Sequence, residues 1–331
     1  MDSTPVQHKG RFAPSPTGRM HLGNLFTALV SWLSVKSKGG KWILRIEDLD
    51  PQRSRTEYAE QIEDDLRFLG LVWDEGGIED TINNQSYQQS KRGDIYGQYL
   101  DRLIDTGLTY PCFCSKADIR ASQAPHASDG RIIYPGTCRP AGNPPFKPSL
   151  SHFLSESSLS HSLAHSVRIF VPDKEIHFYD SIFGRQTVNP AQEYGDFVIQ
   201  RADGAWAYQF AVVVDDALMG VTEIVRGADL LSSSAPQIYL YRLLGFTPPE
   251  FIHIPMICNS GGIRLSKRDS ALSMDTLRSR YSAEQIIGCL AYLAGQLPEP
   301  EPITPRELIP LFDLRKIPAQ EKIILPESLT L

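Results

Sequence analysis

A strand, a proline-rich turn, a helix and a second strand follow one another without interruption between residues 10 and 46, and no other stretch restricts the fold so tightly. Residues 10–14 (GRFAP) suit a short strand that runs into the turn PSPTG. Leu22, Leu25, Phe26, Leu29, Trp32 and Leu33 then recur at helical spacing on one face. Gly39 and Gly40 close that helix, and residues 41–46 (KWILRI) read as a buried strand. This order opens a parallel βαβ unit. The expected fold class is therefore α/β, with a Rossmann-type parallel-sheet core.

Ser54 and Glu57 have capping-box spacing and are expected to start the next helix, with Ala59, Ile62, Leu66 and Leu69 as its apolar stripe and Gly70 as its end. A further helix is expected across 86–106. From 110 to 165 the composition turns to Ser, Pro, Gly, Cys and His, which reads as an irregular insertion with a stapled core. Strand-like runs return at 166–171, 196–200, 208–214, 221–225 and 252–257, followed mostly by helix and Pro-containing loops. These shifts divide the chain into a first half of the core (1–108), an insertion (109–195), a second half of the core (196–260) and a basic loop with a short helical C-terminal region (261–331).

Hydrophobic residues make up 41% of the 331, ample for a core. No run has membrane-spanning length, and the N-terminus lacks an apolar signal region. Five cysteines do not suggest a disulfide framework, so a cytoplasmic setting is expected. The formal net charge of −6 leaves any nucleic-acid contact to local patches, for which Arg131, Arg139 and Lys147 are candidates.

Two segments carry phosphate chemistry. Residues 11–18 (RFAPSPTG) and then His21-Leu22-Gly23-Asn24 lie between the first strand and the first helix, where backbone N–H groups and the helix dipole favour phosphate oxygens. His21 adds a donor, and side-chain-free Gly23 lets a flat base approach. Residues 261–268 (GGIRLSKR) form a glycine-led loop that can bring Lys267 and Arg268 to a departing anion.

Together these segments resemble the signatures of class I aminoacyl-tRNA synthetases in the glutamyl and glutaminyl branch, with RLSKR in place of the KMSKS loop. Asn24 stands where family members commonly carry the last histidine of the HIGH motif. The stretches LRIEDLD, AYQFAVVVDD and VTEIVRGADL look like amino-acid-binding segments of the same family. The resemblance implies ATP with Mg²⁺ as co-substrate, His21 and Lys267 as catalytic residues, and His21, Gly23, Asn24 and Lys267 around the nucleotide. It implies glutamate contacts from Arg11, Phe12, Ala13, Pro14, Ser15 and Glu47 on one side and from Tyr208 and Arg226 on the other. An arginine fork suits the side-chain carboxylate; both Arg11 and Arg226 are open to that role, with Arg11 and Tyr208 the favoured pair.

Cys112, Cys114 and Cys138 offer three thiolates for a zinc ion that would staple the insertion. Spacing leaves the fourth ligand open, with His126 as one choice. The cluster also resembles the C-x-C, Y-x3-C zinc insertion of short glutamyl-synthetase relatives, which implies Tyr134. Cys258 and Cys289 fit core positions.

In the residues that follow Arg268 no anticodon-binding domain is expected. The chain is therefore most similar to the truncated paralogues of glutamyl-tRNA synthetase, the glutamyl-Q tRNA(Asp) synthetases. That resemblance implies activation of L-glutamate without tRNA and transfer of the glutamyl group to queuosine in the tRNA(Asp) anticodon; a monomer is the expected form. The alternatives are a compact glutamyl-tRNA synthetase that charges the 3′ end of tRNA(Glu), and a catalytically silent RNA-binding paralogue.

Overall fold

β1 (Lys9–Phe12), α1 (Leu22–Ser37) and β2 (Lys41–Leu44) form the expected βαβ unit, with the strands parallel and Gly10 opposite Trp42. The computed structural model describes residues 7–121, 133–142, 144–146, 164–263, 265 and 272–326. Apolar residues cover more than one face of α1 because it lies between the sheet and the helix Ala283–Leu293.

With β3 (Glu75–Gly76), the central sheet runs β3, β2, β1, Glu223–Gly227, Glu250–Ile254, Ile176–Asp180, Gly184–Val188. Its neighbours are parallel except the last pair, which is an antiparallel hairpin at the edge. Alternate strand residues feed two cores. Trp42 and Leu44 pack with α1, whereas Ile43 packs with the helices Tyr208–Leu218 and Ser234–Leu243. Cys258 and Cys289 are buried. Among the described residues, no helix is long and apolar enough to cross a membrane.

Several local expectations change. The run at 208–214 is not a strand but the start of the helix Tyr208–Leu218. Phe210 to Asp216 are all buried, so no polar face marks the helical period, and the consecutive valines misdirect a propensity reading. The hairpin Ile176–Asp180 and Gly184–Val188 was not anticipated, although it lies within residues 109–195 and completes the main sheet. Conversely, Ser166–Ile169 lies between Thr109–Cys112 and Val198–Gln200 in a separate antiparallel sheet. The 252–257 run splits into Glu250–Ile254 and Met256–Cys258, and the latter pairs with Lys322–Ile324.

The helix expected across 86–106 is Gly93–Asp105. The Ser54–Glu57 capping box does not form. α2 (Thr56–Phe68) starts after Arg55, and Ser54 Oγ is buried without a partner. A turn wins instead, because Ser54 N donates to Asp50 O at 2.9 Å and Arg55 N donates to Pro16 O at 2.9 Å.

Gly76 lets β3 close onto β2. Its φ is +97°, and a Cβ there would sit 2.1 Å from the Leu44 carbonyl oxygen. Gly76→Ala is expected to lower the unfolding free energy by about 2 kcal/mol or more, as read from denaturant melts.

Candidate active site

The chain order reverses on either side of β1, and open α/β sheets bind ligands where that happens. A cleft of about 470 Å³ opens there. Arg11, Phe12, Ala13, Pro14 and Ser15 line it from β1 and its turn, and His21, Gly23 and Asn24 from the start of α1. Glu47 joins them from beyond β2, Tyr208 from the first turn of its helix, and Arg226 from the strand Glu223–Gly227. Lys267 lies outside the described residues, as do His126, Arg131 and Lys147. Leu265, from the same basic segment as Lys267, lines the cleft.

His21 caps α1. Its Nδ1 accepts the Gly23 N–H at 3.2 Å, while Asn24 Oδ1 accepts the His21 N–H at 3.2 Å. An imidazole accepting at Nδ1 carries its proton on Nε2 when neutral. Asn24 thus has a capping role that a histidine at that position would fill differently, and the N–H groups of the first turn face an anion-favouring field.

The floor of the cleft is a buried charge network. Asp216 Oδ1 accepts from Arg11 Nε at 3.1 Å and from Arg45 Nη1 at 2.6 Å, and Arg45 Nη2 reaches Glu47 Oε1 at 3.0 Å. Burial alone would raise the Asp216 carboxyl, but Arg11 and Arg45 outweigh it and hold it below the usual range. Burial pushes the Glu47 carboxyl up, with Arg45 and Arg11 pulling it partly back. Neighbouring Asp215 faces away and accepts from Arg92 Nε, Gln89 Nε2 and Tyr96 OH at 2.7, 2.8 and 2.8 Å.

Backbone bonds register the turn on β2. Arg45 N donates to Phe12 O at 3.0 Å, and Glu47 N donates to Pro14 O at 3.0 Å. Arg45, Asp216 and Asp180 were not singled out from the sequence. The first two sit inside LRIEDLD and AYQFAVVVDD, so a search for buried charge partners in those stretches was the available signal.

Arg226 is 4% exposed. Its Nη1 donates to Gln237 Oε1 at 2.7 Å, its Nη2 to Ser234 Oγ at 2.8 Å, and its Nε to His253 Nε2 at 2.9 Å. Burial drives the His253 imidazole down to about 4 against the pull of Asp180, so the ring is neutral near pH 7.

Away from the cleft, the Sγ atoms of Cys112, Cys114 and Cys138 lie within 4.8 Å of one another. The Tyr134 hydroxyl is 3.5 Å from Cys112 Sγ and accepts the Cys138 N–H at 2.7 Å. Three soft thiolates with an oxygen at their side fit a zinc ion. Arg139, offered above for RNA phosphate, is instead committed to Asp196 through two bonds of 2.7 Å and lies over the Phe170 ring.

Residues 7–298 match the family model "tRNA synthetases class I (E and Q), catalytic domain". The chain is 46% identical over 324 residues to the glutamyl-Q tRNA(Asp) synthetase of Symbiobacterium thermophilum, covering 97% of both chains. It is 38% identical to the glutamate–tRNA ligase of Aquifex aeolicus, covering 93% of this chain and 62% of that one. Among solved structures it resembles the glutamate tRNA ligase of Elizabethkingia meningosepticum in complex with its amino acid. That likeness has a TM-score of 0.80 at 30% identity, and covers 96% of this chain and 66% of the other.

His253 also makes stability depend on pH. Its folded pKa lies below its unfolded value, so the unfolded chain takes up a proton first. Its contribution is complete above about pH 6.5 and is lost as the pH falls toward 4. Urea melts between those pH values are expected to show a steeper loss of stability for the native chain than for His253→Gln.

Proposed function

The chain belongs to the family of class I tRNA synthetases for glutamate and glutamine, and from that membership we propose that it activates L-glutamate with magnesium–ATP and then transfers the glutamyl group to queuosine in the anticodon of tRNA(Asp). The observation that carries the activation step is the meeting of the capped α1 terminus with Arg11, Glu47, Tyr208 and Arg226 in one cleft. The acceptor is supported by the 46% identity over 97% of a glutamyl-Q tRNA(Asp) synthetase.

In the first step an oxygen of the glutamate α-carboxylate bonds to the α-phosphorus of ATP, and the bond to pyrophosphate breaks. His21, Gly23 and Asn24 receive the nucleotide, with His21 offering its Nε2–H. Lys267 balances the negative charge that grows on the departing pyrophosphate, a role supported by the RLSKR resemblance. Arg11 with Tyr208 reads the side-chain carboxylate, Arg226 adds positive charge from the facing strand, and Glu47 suits the ammonium group. In the second step a hydroxyl of the queuosine ring attacks the activated carbonyl and AMP leaves. Neither step needs a covalent enzyme intermediate, and holding the reactants in place supplies most of the acceleration.

Cys112, Cys114, Cys138 and Tyr134 would hold a structural zinc ion that clamps the small sheet of the insertion. The hydroxyl beside the thiol cluster favours Tyr134 as fourth ligand. Purified native chain and His126→Ala are expected to carry a full complement of zinc, with Tyr134→Phe substoichiometric. The reverse pattern would assign the site to His126.

Charging of the tRNA(Glu) 3′ end is the competing acceptor chemistry. Radiolabelled glutamate should be recovered by nuclease mapping on the anticodon queuosine, and tRNA(Asp) lacking queuosine should stay unlabelled. Label on a 3′-terminal adenosine would reject the acceptor assignment.

A further inference from the structure

We propose that Asp180 and His253, which do not line the cleft, are positioning residues for Arg226: Asp180 fixes the imidazole tautomer so that its Nε2 lone pair holds the guanidinium in place for substrate. The proposal rests on the reading of Arg226 as a glutamate-binding residue.

Both side chains are fully buried. Asp180 comes from the hairpin strand Ile176–Asp180 and His253 from the neighbouring strand Glu250–Ile254. Asp180 is held rigidly, since its Oδ1 accepts the N–H groups of Ile182 and Phe183 at 3.0 and 2.9 Å. Its Oδ2 accepts the His253 backbone N–H at 3.0 Å and lies 2.6 Å from His253 Nδ1. A carboxylate only accepts, so the imidazole proton sits on Nδ1 and Nε2 is left as an acceptor.

The Arg226 Nε–H fills that acceptor at 2.9 Å. Gln237 Oε1, Ser234 Oγ and the Leu230 carbonyl take three more Arg226 donors at 2.7, 2.8 and 3.3 Å. A guanidinium has five N–H groups, so most of this one is engaged by the protein. The ring of Phe251 lies 5.3 Å beneath it. The group therefore meets a carboxylate largely ordered, and less side-chain entropy is lost on binding. Neutrality of His253 belongs to the same arrangement, because a proton on Nε2 would set N–H against N–H.

Asp180→Asn tests this. The asparagine amide can donate to Nδ1, which moves the imidazole proton to Nε2 and turns it against Arg226. In glutamate-dependent ATP–pyrophosphate exchange, the KM for glutamate should rise about tenfold or more while the KM for ATP stays within about twofold. The ¹⁵N NMR signals of His253 should show Nδ1 protonated in the native chain and Nε2 protonated in Asp180→Asn. His253→Gln keeps an oxygen acceptor for Arg226 and should stay closer to native behaviour than His253→Leu.

Three results would overturn the proposal: Nε2 protonated in the native chain, an equal rise of both KM values, or no difference between the two His253 variants. Should Asp180→Asn fail to fold, the native NMR tautomer and the His253 pair still decide. Arg226→Ala separates the underlying reading. If it leaves the KM for glutamate unchanged, the assignment of Arg226 to glutamate fails. If it raises that KM and a folded Asp180→Asn does not, only the positioning role fails.

Discussion

One buried carboxylate, Asp216, holds two arginines side by side. Arg11 and Arg45 would repel each other in a low-dielectric interior, yet both reach the same Asp216 oxygen. Breaking such a group by removing one partner typically costs about 3–5 kcal/mol, because a charge is left buried and uncompensated. The three residues belong to β1, to the segment just past β2 and to the helix Tyr208–Leu218. Their interaction therefore sets the distance between the two halves of the cleft, and the pocket inherits its width from electrostatics as well as from packing.

The same economy recurs around Arg226. Among the described residues its positive charge has no carboxylate in direct contact; it is held by neutral acceptors, with Asp180 one residue further back behind His253. Burial pulls the Arg226 pKa below its ordinary value. A cation stabilised by neutral groups keeps more of its attraction for an incoming anion than one already neutralised. Arg11, paired with Asp216, and Arg226 thus make different contributions to one site. The sequence reading left open which of them meets the side-chain carboxylate, and these surroundings give that question its physical content.

Much of this was legible in the residues, for identifiable reasons. The βαβ opening could be read because α1 is bounded by a proline-rich turn and two glycines, and its strands are short apolar runs. The cleft-lining residues named from the two halves of the chain do converge, apart from Lys267, which lies outside the described residues. The helix Tyr208–Leu218 was hidden because it is buried nearly all round and rich in valine. The hairpin at 176–188 does alternate, with Ile176 and Asp180 inward and His177 and Tyr179 outward, but it follows a Ser-rich stretch that masks the pattern. Asp180 carried no local signal at all, and Asp216 was marked only by its place within AYQFAVVVDD. Their importance lies in partners far away in sequence, which composition and periodicity do not report.

On this reading the arginine-lined cleft selects a dicarboxylic amino acid and joins it to AMP. ATP–pyrophosphate exchange in the absence of any RNA, run with glutamate and with glutamine, tests it most directly. Exchange that depends on glutamate and is at least about a hundredfold weaker with glutamine is expected, since the amide leaves the arginine charge unmatched. No exchange, or equal exchange with both amino acids, would contradict it.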